Sequence, residues 1–446
     1  MKNLTEGNIY KNFLIFAIPL ILSGVLSQGF NLVNSAIAGK YLGEIGRAAT
    51  GSTAGFIAFV SSLLWGYCTG VALKTAIHFG SKEYERLSQN FFSSLIFITS
   101  ACLLLSLLCI IFKDLILDFL KVDPTIRYRA SNYFLIYISS LVLFILNVFF
   151  VKFFQALGMS LFPTVVSIAT TAVGILLRIL SIVVLKMNVE GIALAASVSA
   201  LGANVVYMIK AMKCLKELGC KNLRPRFCKT EFQSTLRLAL PVSLQQGVMY
   251  IATFLISPSI NVLGKSATAA YSVSSQIFEI NAAIYQNSAI TVMNYTAQSV
   301  GAKKSDNLKR GVRVGFLQGC VFLIPILALT VILARPLCSI FFESGYAGES
   351  LDYSILFVRV YLPFVFMNVI NNLFHNFFRG VKAVNLVLLF TALGSLSRIV
   401  ATLLLAPLYG LEGVYAGWVI SWGFEAILIS ITYFSGIWKR YLKLSV

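Results

Sequence analysis

Residues 13–38 read FLIFAIPLILSGVLSQGFNLVNSAIA, a run of 26 positions without a charged side chain. A helix needs roughly 20 apolar residues, at about 1.5 Å of rise each, to cross the hydrocarbon core of a bilayer. The run therefore predicts a transmembrane helix. It contains no small-residue cleavage site, which favours a retained first span over a removable signal segment.

Similar apolar stretches recur along the whole chain. Hydrophobic residues make up 58% of it and charged residues 12%, too little polar surface to cover a water-soluble particle of this length. No stretch is left over for a soluble domain. The sequence predicts an all-α integral membrane protein with twelve transmembrane helices, centred on residues 13–38, 53–78, 90–112, 133–157, 163–186, 189–210, 236–262, 272–297, 312–334, 355–378, 384–407 and 413–436.

Many of the basic residues behind the formal net charge of +19 lie in loops between the predicted spans. Eight basic residues lie between Lys210 and Arg237, in the loop after the sixth predicted span. Because basic loops stay in the cytoplasm, this distribution predicts a multi-pass protein of the cytoplasmic membrane with both termini inside. Membrane topology and attraction to anionic membrane lipids then account for the positive charge, so we expect no nucleic-acid partner.

Metal and disulfide chemistry are not indicated. Cys214, Cys220 and Cys228 share the basic loop, where thiols stay reduced, and no fourth thiol or histidine stands at zinc spacing from them. The two histidines, His78 and His375, lie elsewhere. We expect no metal site and no cofactor.

One pattern imitates an enzyme motif. Residues 66–70 read GYCTG, which resembles a nucleophile elbow with cysteine in place of serine. Such an elbow follows a strand, whereas this copy lies inside a predicted span, where glycines four apart indicate close helix packing. We therefore expect no catalytic residues and no enzymatic activity.

An internal repeat organises the chain. A shift of about 221 residues, read off the sequence, superimposes the Ala-x-Pro ending in Pro19 on the one ending in Pro241. It predicts an amino-terminal lobe over residues 1–209, a basic linker over 210–235 and a carboxy-terminal lobe over 236–446. Two six-helix bundles around a central cavity, related by an axis along the membrane normal, are expected to rock between two open states. Pro19 and Pro241 are either structural kinks or hinges.

In combination these motifs resemble the multidrug and toxic compound extrusion family over nearly the whole chain. The pieces that carry the resemblance are Phe16-Ala17-Ile18-Pro19, Asn31-Leu32-Val33-Asn34, Gly39-Lys40-Tyr41-Leu42-Gly43, Arg47-Ala48-Ala49, Gly80-Ser81-Lys82 and, in the second copy, Leu263-Gly264, Ala269-Ala270 and Ala297-Gln298-Ser299-Val300-Gly301-Ala302.

The resemblance implies a monomeric efflux antiporter that moves small organic molecules by alternating access, coupled to protons or sodium. It also implies an amino-lobe cation site with carboxylates in the first and fifth helices. This chain has Asn34, Gly174 and Arg178 at those places. Because an arginine does not bind a cation, the coupling ion stays open, and we expect an anionic or zwitterionic substrate. A flippase for lipid-linked saccharide or other anionic lipid cargo is the alternative function.

Polar residues inside the predicted spans are the remaining candidates for the substrate or ion pathway. Glu279 in the eighth span is either a proton or cation site or the partner of an arginine, and Gln286 and Asn294 are expected to extend its polar stripe. Asn368 and Asn372 either line the pathway or tie helices together. Arg398 is the repeat equivalent of Arg178, and the two form a symmetric pair that either stabilises the bundles or contacts the substrate.

Overall fold

A computed structural model describes residues 1–220, 223–342 and 348–443, and in these ranges it leaves the side chains of residues 31–48, 305 and 443 undescribed. Every regular element in these ranges is helical. The first half contains α1 Ile9–Ser81, α2 Tyr84–Ile111, α3 Lys113–Phe119, α4 Pro124–Ser139, α5 Leu141–Ala156, α6 Leu161–Ile179 and α7 Val189–Glu217. The second contains α8 Lys229–Asn261, α9 Lys265–Gly301, α10 Leu308–Ile332, α11 Ala334–Ser339, α12 Glu349–Leu356, α13 Val365–Gly380, α14 Val384–Phe434 and α15 Lys439–Lys443.

Length and polarity together account for the number of membrane crossings. Within the described ranges, nine helical segments are long and apolar enough to cross a membrane, and the bent pair of α4 and α5 makes ten. The 51 residues of α14 would be about 77 Å long if straight, enough for two crossings. Gly410 divides that helix with a φ of 58°, a left-handed conformation that glycine adopts without steric penalty. The 37-residue α9 is long enough to cross but more polar than the others.

These segments add up to twelve crossings. The predicted all-α membrane architecture is confirmed, including the eighth span, which hydropathy alone does not select. The predicted central cavity stays a prediction.

The chain packs into two compact units whose boundaries differ from those of the sequence repeat. Unit 1 consists of Met1–Asn3 and Leu26–Ser243, and unit 2 consists of Leu4–Val25 and Leu244–Val446. The division into residues 1–209, 210–235 and 236–446 follows the internal sequence repeat rather than the packing, and it stays a prediction. In the packed structure α1 and α8 each contribute one segment to each unit. Pro19 lies within α1 and Pro241 within α8, each a few residues before its helix changes unit.

Two glycines fix the contact between α1 and α8 in unit 1. A Cβ added to Gly66 would lie 2.4 Å from the Cα of Ser243, and one added to Gly70 would lie 2.3 Å from the Cα of Ala239. A step of four residues forward along α1, from Gly66 to Gly70, moves the contact four residues back along α8, from Ser243 to Ala239, as expected for antiparallel helices. Residues 66–70, which imitate an enzyme motif, therefore form a helix-packing motif.

A cluster of charged residues lies near the end of α1 and the start of α8. His78 is buried on α1, with its Nδ1 3.0 Å from Glu83 and its Nε2 3.0 Å from Glu231 of α8. A neutral imidazole has a single N–H, so it can donate to only one of these carboxylates. Burial would raise the pKa of the Glu83 carboxyl, but the hydrogen bond to His78 and the charge of Arg86 leave that pKa below its usual range. The cluster holds the start of α8 against α1 and α2.

Aromatic side chains fill both units. In unit 1 the rings of Phe91 and Phe153 lie 4.6 Å apart, and the Tyr207 hydroxyl donates to the Pro163 carbonyl at 3.1 Å. In unit 2 the Phe278 ring stacks on Trp422 with 5.3 Å between centroids. Such pairs stabilise packing by about 1 kcal/mol each beyond the area they bury.

Replacing Gly70 with alanine is expected to destabilise unit 1 by roughly 1–3 kcal/mol, the usual effect of overpacking, because α1 and α8 must separate to admit the methyl group. Gly55→Ala on the same helix is the matched control, since no atom lies within 4 Å of its added Cβ. Thermal unfolding in detergent, followed by reaction of the buried cysteines with a fluorogenic maleimide, measures both variants. Equal unfolding temperatures for the two would contradict the packing assignment.

Candidate functional site

The helix α13 of unit 2 contains a run of polar side chains between Asn368 and Arg379. It follows a π-helical turn, Phe357–Tyr361, and a short 3-10 turn, Leu362–Phe364. Pro363 has no backbone N–H to donate, so one helical hydrogen bond is missing at this point, where the chain forms a 3-10 turn. At 100° per residue, Asn368, Asn372, His375 and Arg379 then fall on one face of α13.

Asparagine amides bond along this face and across to neighbouring helices. The Asn368 amide donates to the Tyr285 hydroxyl of α9 at 3.0 Å, and the Asn371 amide donates to the Trp422 carbonyl of α14 at 3.0 Å. Asn372 donates back to the Asn368 carbonyl at 3.0 Å. Asn368 and Asn371 therefore tie helices together, one of the two roles expected for this run. A role for Asn368 and Asn372 in lining the pathway stays a prediction.

A buried charged pair lies beside the asparagines. His375 Nε2 is 3.1 Å from Glu425 Oε1 on α14, and both side chains are largely buried. Gly394 makes room for the carboxylate, since a Cβ at that position would lie 3.1 Å from it. This places an acid and a base in contact within the membrane helices of unit 2.

Arg379 continues the network at the end of α13. Its Nη2 donates to Gln245 Oε1 of α8 at 2.5 Å, and Gln245 donates in turn to Thr391 of α14 at 2.8 Å. Sequence reasoning missed both Arg379 and Gln245. The repeat contains a signal for the arginine, since Phe377-Phe378-Arg379-Gly380 aligns with Phe153-Phe154-Gln155-Ala156 and replaces a neutral amide with a cation.

Glu279 lies on α9 with an exposed side chain. Its electrostatic neighbours are the hydroxyls of Tyr250 and Tyr285. Among the described residues its carboxylate forms no ion pair and no hydrogen bond, so the arginine partner considered from the sequence is not found there.

The predicted polar stripe on α9 holds for only two of its three members. Glu279 and Gln286 are both exposed, but Asn294 is fully buried and donates to the Ile290 carbonyl at 3.0 Å. The seven-residue step from Glu279 to Gln286 brings the side chain back to within about 20° of the same direction around the helix. The eight-residue step from Gln286 to Asn294 turns it about 80° away. Asn294 is thus part of the packed interior.

The two arginines of the repeat have aromatic neighbours. Arg398 on α14 donates to the Tyr271 hydroxyl at 3.1 Å, and its guanidinium carbon lies 4.9 Å from the centre of the Trp418 ring. Arg178 at the end of α6 is close enough to Tyr133 and Tyr137 of α4 to interact electrostatically. Hydroxyl and ring contacts of this kind stabilise a cation without a carboxylate.

Among the other residues of the predicted amino-lobe site, Gly174 lies one turn before Arg178 on α6. Gly174 is buried on α6, and a Cβ there would lie 3.1 Å from the Ser199 hydroxyl of α7. Glu190, the acid nearest to Arg178 in sequence, accepts a hydrogen bond from Asn132 at 3.0 Å. The Asn34 side chain lies outside the described residues. An anionic or zwitterionic substrate accordingly stays a prediction.

Twelve membrane crossings with an acid, bases and amides inside them define a multi-pass membrane transporter. The sequence profile of the MatE family matches residues 19–206 and 241–404, and the chain belongs to that family. The internal repeat stays a prediction. The protein is a transporter and not an enzyme.

Known proteins resemble the chain in sequence and in fold. "Probable multidrug resistance protein YoeA" of Bacillus subtilis is 26% identical over 320 residues, which cover 70% of this chain and 69% of that protein. "Probable multidrug resistance protein YpnP" of the same organism is 22% identical over 440 residues, covering 98% and 97%. A structure titled as the outward-facing conformation of a multidrug resistance MATE family transporter superimposes with a TM-score of 0.91 at 17% identity, covering 100% and 99%.

Replacing His375 with glutamine is expected to lower stability by about 3 kcal/mol, because it leaves Glu425 buried without its basic partner. Glu425→Gln alone should also destabilise, and the double variant should recover much of the sum. Unfolding temperatures of the wild type, both single variants and the double variant, measured in one detergent, complete the cycle. Strictly additive losses would show that the two side chains do not interact.

Proposed function

We propose that this transporter is a proton-coupled efflux antiporter that moves small organic molecules out across the cytoplasmic membrane by alternating access. The observation that carries the proposal is Glu279, an exposed carboxylate in the middle of a long membrane helix, without an ion pair or hydrogen bond among the described residues. A carboxylate kept at such a depth is costly and typically serves an ion or substrate pathway.

Two further features support this assignment. The relatives YoeA and YpnP are both named as multidrug resistance proteins, which favours small organic molecules over lipid-linked saccharides. The His375 and Glu425 pair supplies a second protonatable centre in unit 2. Because the carboxylates and the imidazole all bind protons, we propose the proton rather than sodium as the coupling ion. Pro19 and Pro241, close to the changes of unit in α1 and α8, are the proposed hinges.

Glu279→Gln is expected to remove the dependence of transport on an imposed pH gradient, since glutamine cannot release a proton at any working pH. Ethidium efflux from proteoliposomes is measured under a pH gradient or a sodium gradient, with Glu279→Asp as the variant that keeps a carboxylate. An unchanged pH profile in the folded Gln variant reduces Glu279 to a structural role. Transport driven by sodium alone would instead assign sodium as the coupling ion.

The charge of the substrate is tested separately, by measuring transport of an anionic dye in the variants Arg178→Ala and Arg398→Ala. A loss of transport confined to Arg178→Ala supports an anionic substrate.

Both termini and the basic loop are proposed to lie in the cytoplasm, and Cys228 reports on this orientation. It is half-buried, and the Thr230 hydroxyl bonded to its sulfur lowers the pKa of its thiol, so more thiolate is present at neutral pH. Cys220 is buried, and burial raises its pKa to about 11. The two thiols should therefore react at very different rates.

A membrane-impermeant maleimide should modify Cys228 in inverted vesicles and leave it unmodified in intact cells. Thr230→Val removes the hydrogen bond, raises the thiol pKa and should slow labelling at pH 7 more than at pH 9. Cys228→Ser is the control that identifies the labelled site, and the mass shift of the intact protein is the measurement. Modification of Cys228 in intact cells would reverse the proposed topology.

A further inference from the structure

Unit 2 contains a cavity of about 530 Å³ at the end where α10 begins and α14 ends. Side chains of α10, α13, α14 and the short α15 line it. Its volume falls in the range of small-molecule binding sites, roughly 300–1,000 Å³. The cavity is remote from Glu279, which lies in the middle of α9 and does not line it.

One wall of the cavity is aromatic and internally bonded. Gly436 has a φ of +75°, which lets the chain turn back after α14 so that Trp438 lies under the end of that helix. The Trp438 indole donates to the Tyr433 carbonyl at 3.0 Å, and the two rings stack with 6.2 Å between centroids. Phe374 of α13 packs on Tyr433 at 4.5 Å. The wall is therefore formed before any ligand binds.

Three basic side chains line the same cavity. Lys309 and Arg313 are one turn apart on α10, and Lys439 begins α15. All three are exposed, and among the described residues none of their side chains forms an ion pair or a hydrogen bond. Cations that have no partner among the described residues, next to an aromatic wall, are complementary to an anion with an apolar body.

The repeat shows that the fold does not require these cations. At the repeat shift of about 221, the first half has Ser88 and Phe92 where the second has Lys309 and Arg313. At the end of its last helix the first half has Glu217 opposite Lys439. The first half thus builds α2, the counterpart of α10, with a hydroxyl and a ring in place of the two cations on α10.

We infer that this cavity binds the headgroup of an anionic phospholipid, with the lipid phosphate held by Lys309, Arg313 and Lys439 and the glycerol and upper acyl chain against the aromatic wall. Tryptophan and tyrosine favour the interfacial depth at which lipid headgroups lie. Phe316 and Phe434 line the cavity with exposed rings, an apolar border that suits an acyl chain and not a soluble anion. Glu279 does not line the cavity, and the inference does not depend on the proposed coupling.

Native mass spectrometry of the full-length protein, titrated with phosphatidylglycerol, cardiolipin or phosphatidylcholine, tests the inference. The triple variant Lys309→Gln, Arg313→Gln, Lys439→Gln should bind the anionic lipids on the order of a hundredfold more weakly, since each basic residue near an anionic headgroup contributes roughly a fivefold change in binding. Binding of phosphatidylcholine should not change. Ser430→Trp fills the cavity without altering charge and should produce the same selective loss.

The matched control removes three exposed bases outside the cavity, Lys213→Gln, Lys216→Gln and Lys229→Gln. It should retain the anionic-lipid adducts. Equal weakening by the control and the cavity variant would overturn the site and leave only a diffuse charge effect. Retention of the adducts in Ser430→Trp would overturn it as well, as would equal competition by glycerol phosphate, which shares the phosphate but has no acyl chain.

Discussion

Hydrocarbon offers no hydrogen bonds, and the rest of this structure depends on that constraint. Each chain segment in the bilayer must satisfy its own backbone, so the described elements are helices, interrupted by short π or 3-10 turns, one of which contains Pro363, and by Gly410 within α14. The same constraint acts on side chains. Asn372 and Asn294 return their amides to carbonyls of their own helix, whereas Asn368 and Asn371 use them to hold α13 to its neighbours.

Charged side chains within the helices differ in the groups that stabilise their charge. Arg398 is held by a hydroxyl and an indole ring, and Arg379 by an amide that is itself anchored. His375 and Glu425 pair with one another. Glu279 is the contrast, since its neighbours are tyrosine hydroxyls and its carboxylate has no strong partner among the described residues. The groups with protein partners among the described residues stabilise helix contacts.

Much of the architecture could be predicted from the sequence, because the length and polarity of a helix in a bilayer follow directly from composition. The twelve crossings were accessible in this way. The assignment of residues 4–25 to unit 2 was not, since apolar runs do not specify which neighbour they pack against. In the site, Glu279 stood out as a lone carboxylate. Arg379 did not, because its partner Gln245 is distant in sequence and lies on another helix. Asn294 was misplaced because a stripe counted over fifteen residues drifts around the helix.

The exchange of helix segments has a consequence for how such a chain could have arisen. A half cut within the basic loop would contain one segment, residues 4–25, whose packing partners belong to the other half, and would lack residues 229–243, which pack with it. An ancestor with a single six-helix copy would therefore have been complete only as a pair of chains, each lending a segment to the other. In that view the loop between α7 and α8 did not create the association of the halves. It made an obligatory partnership permanent.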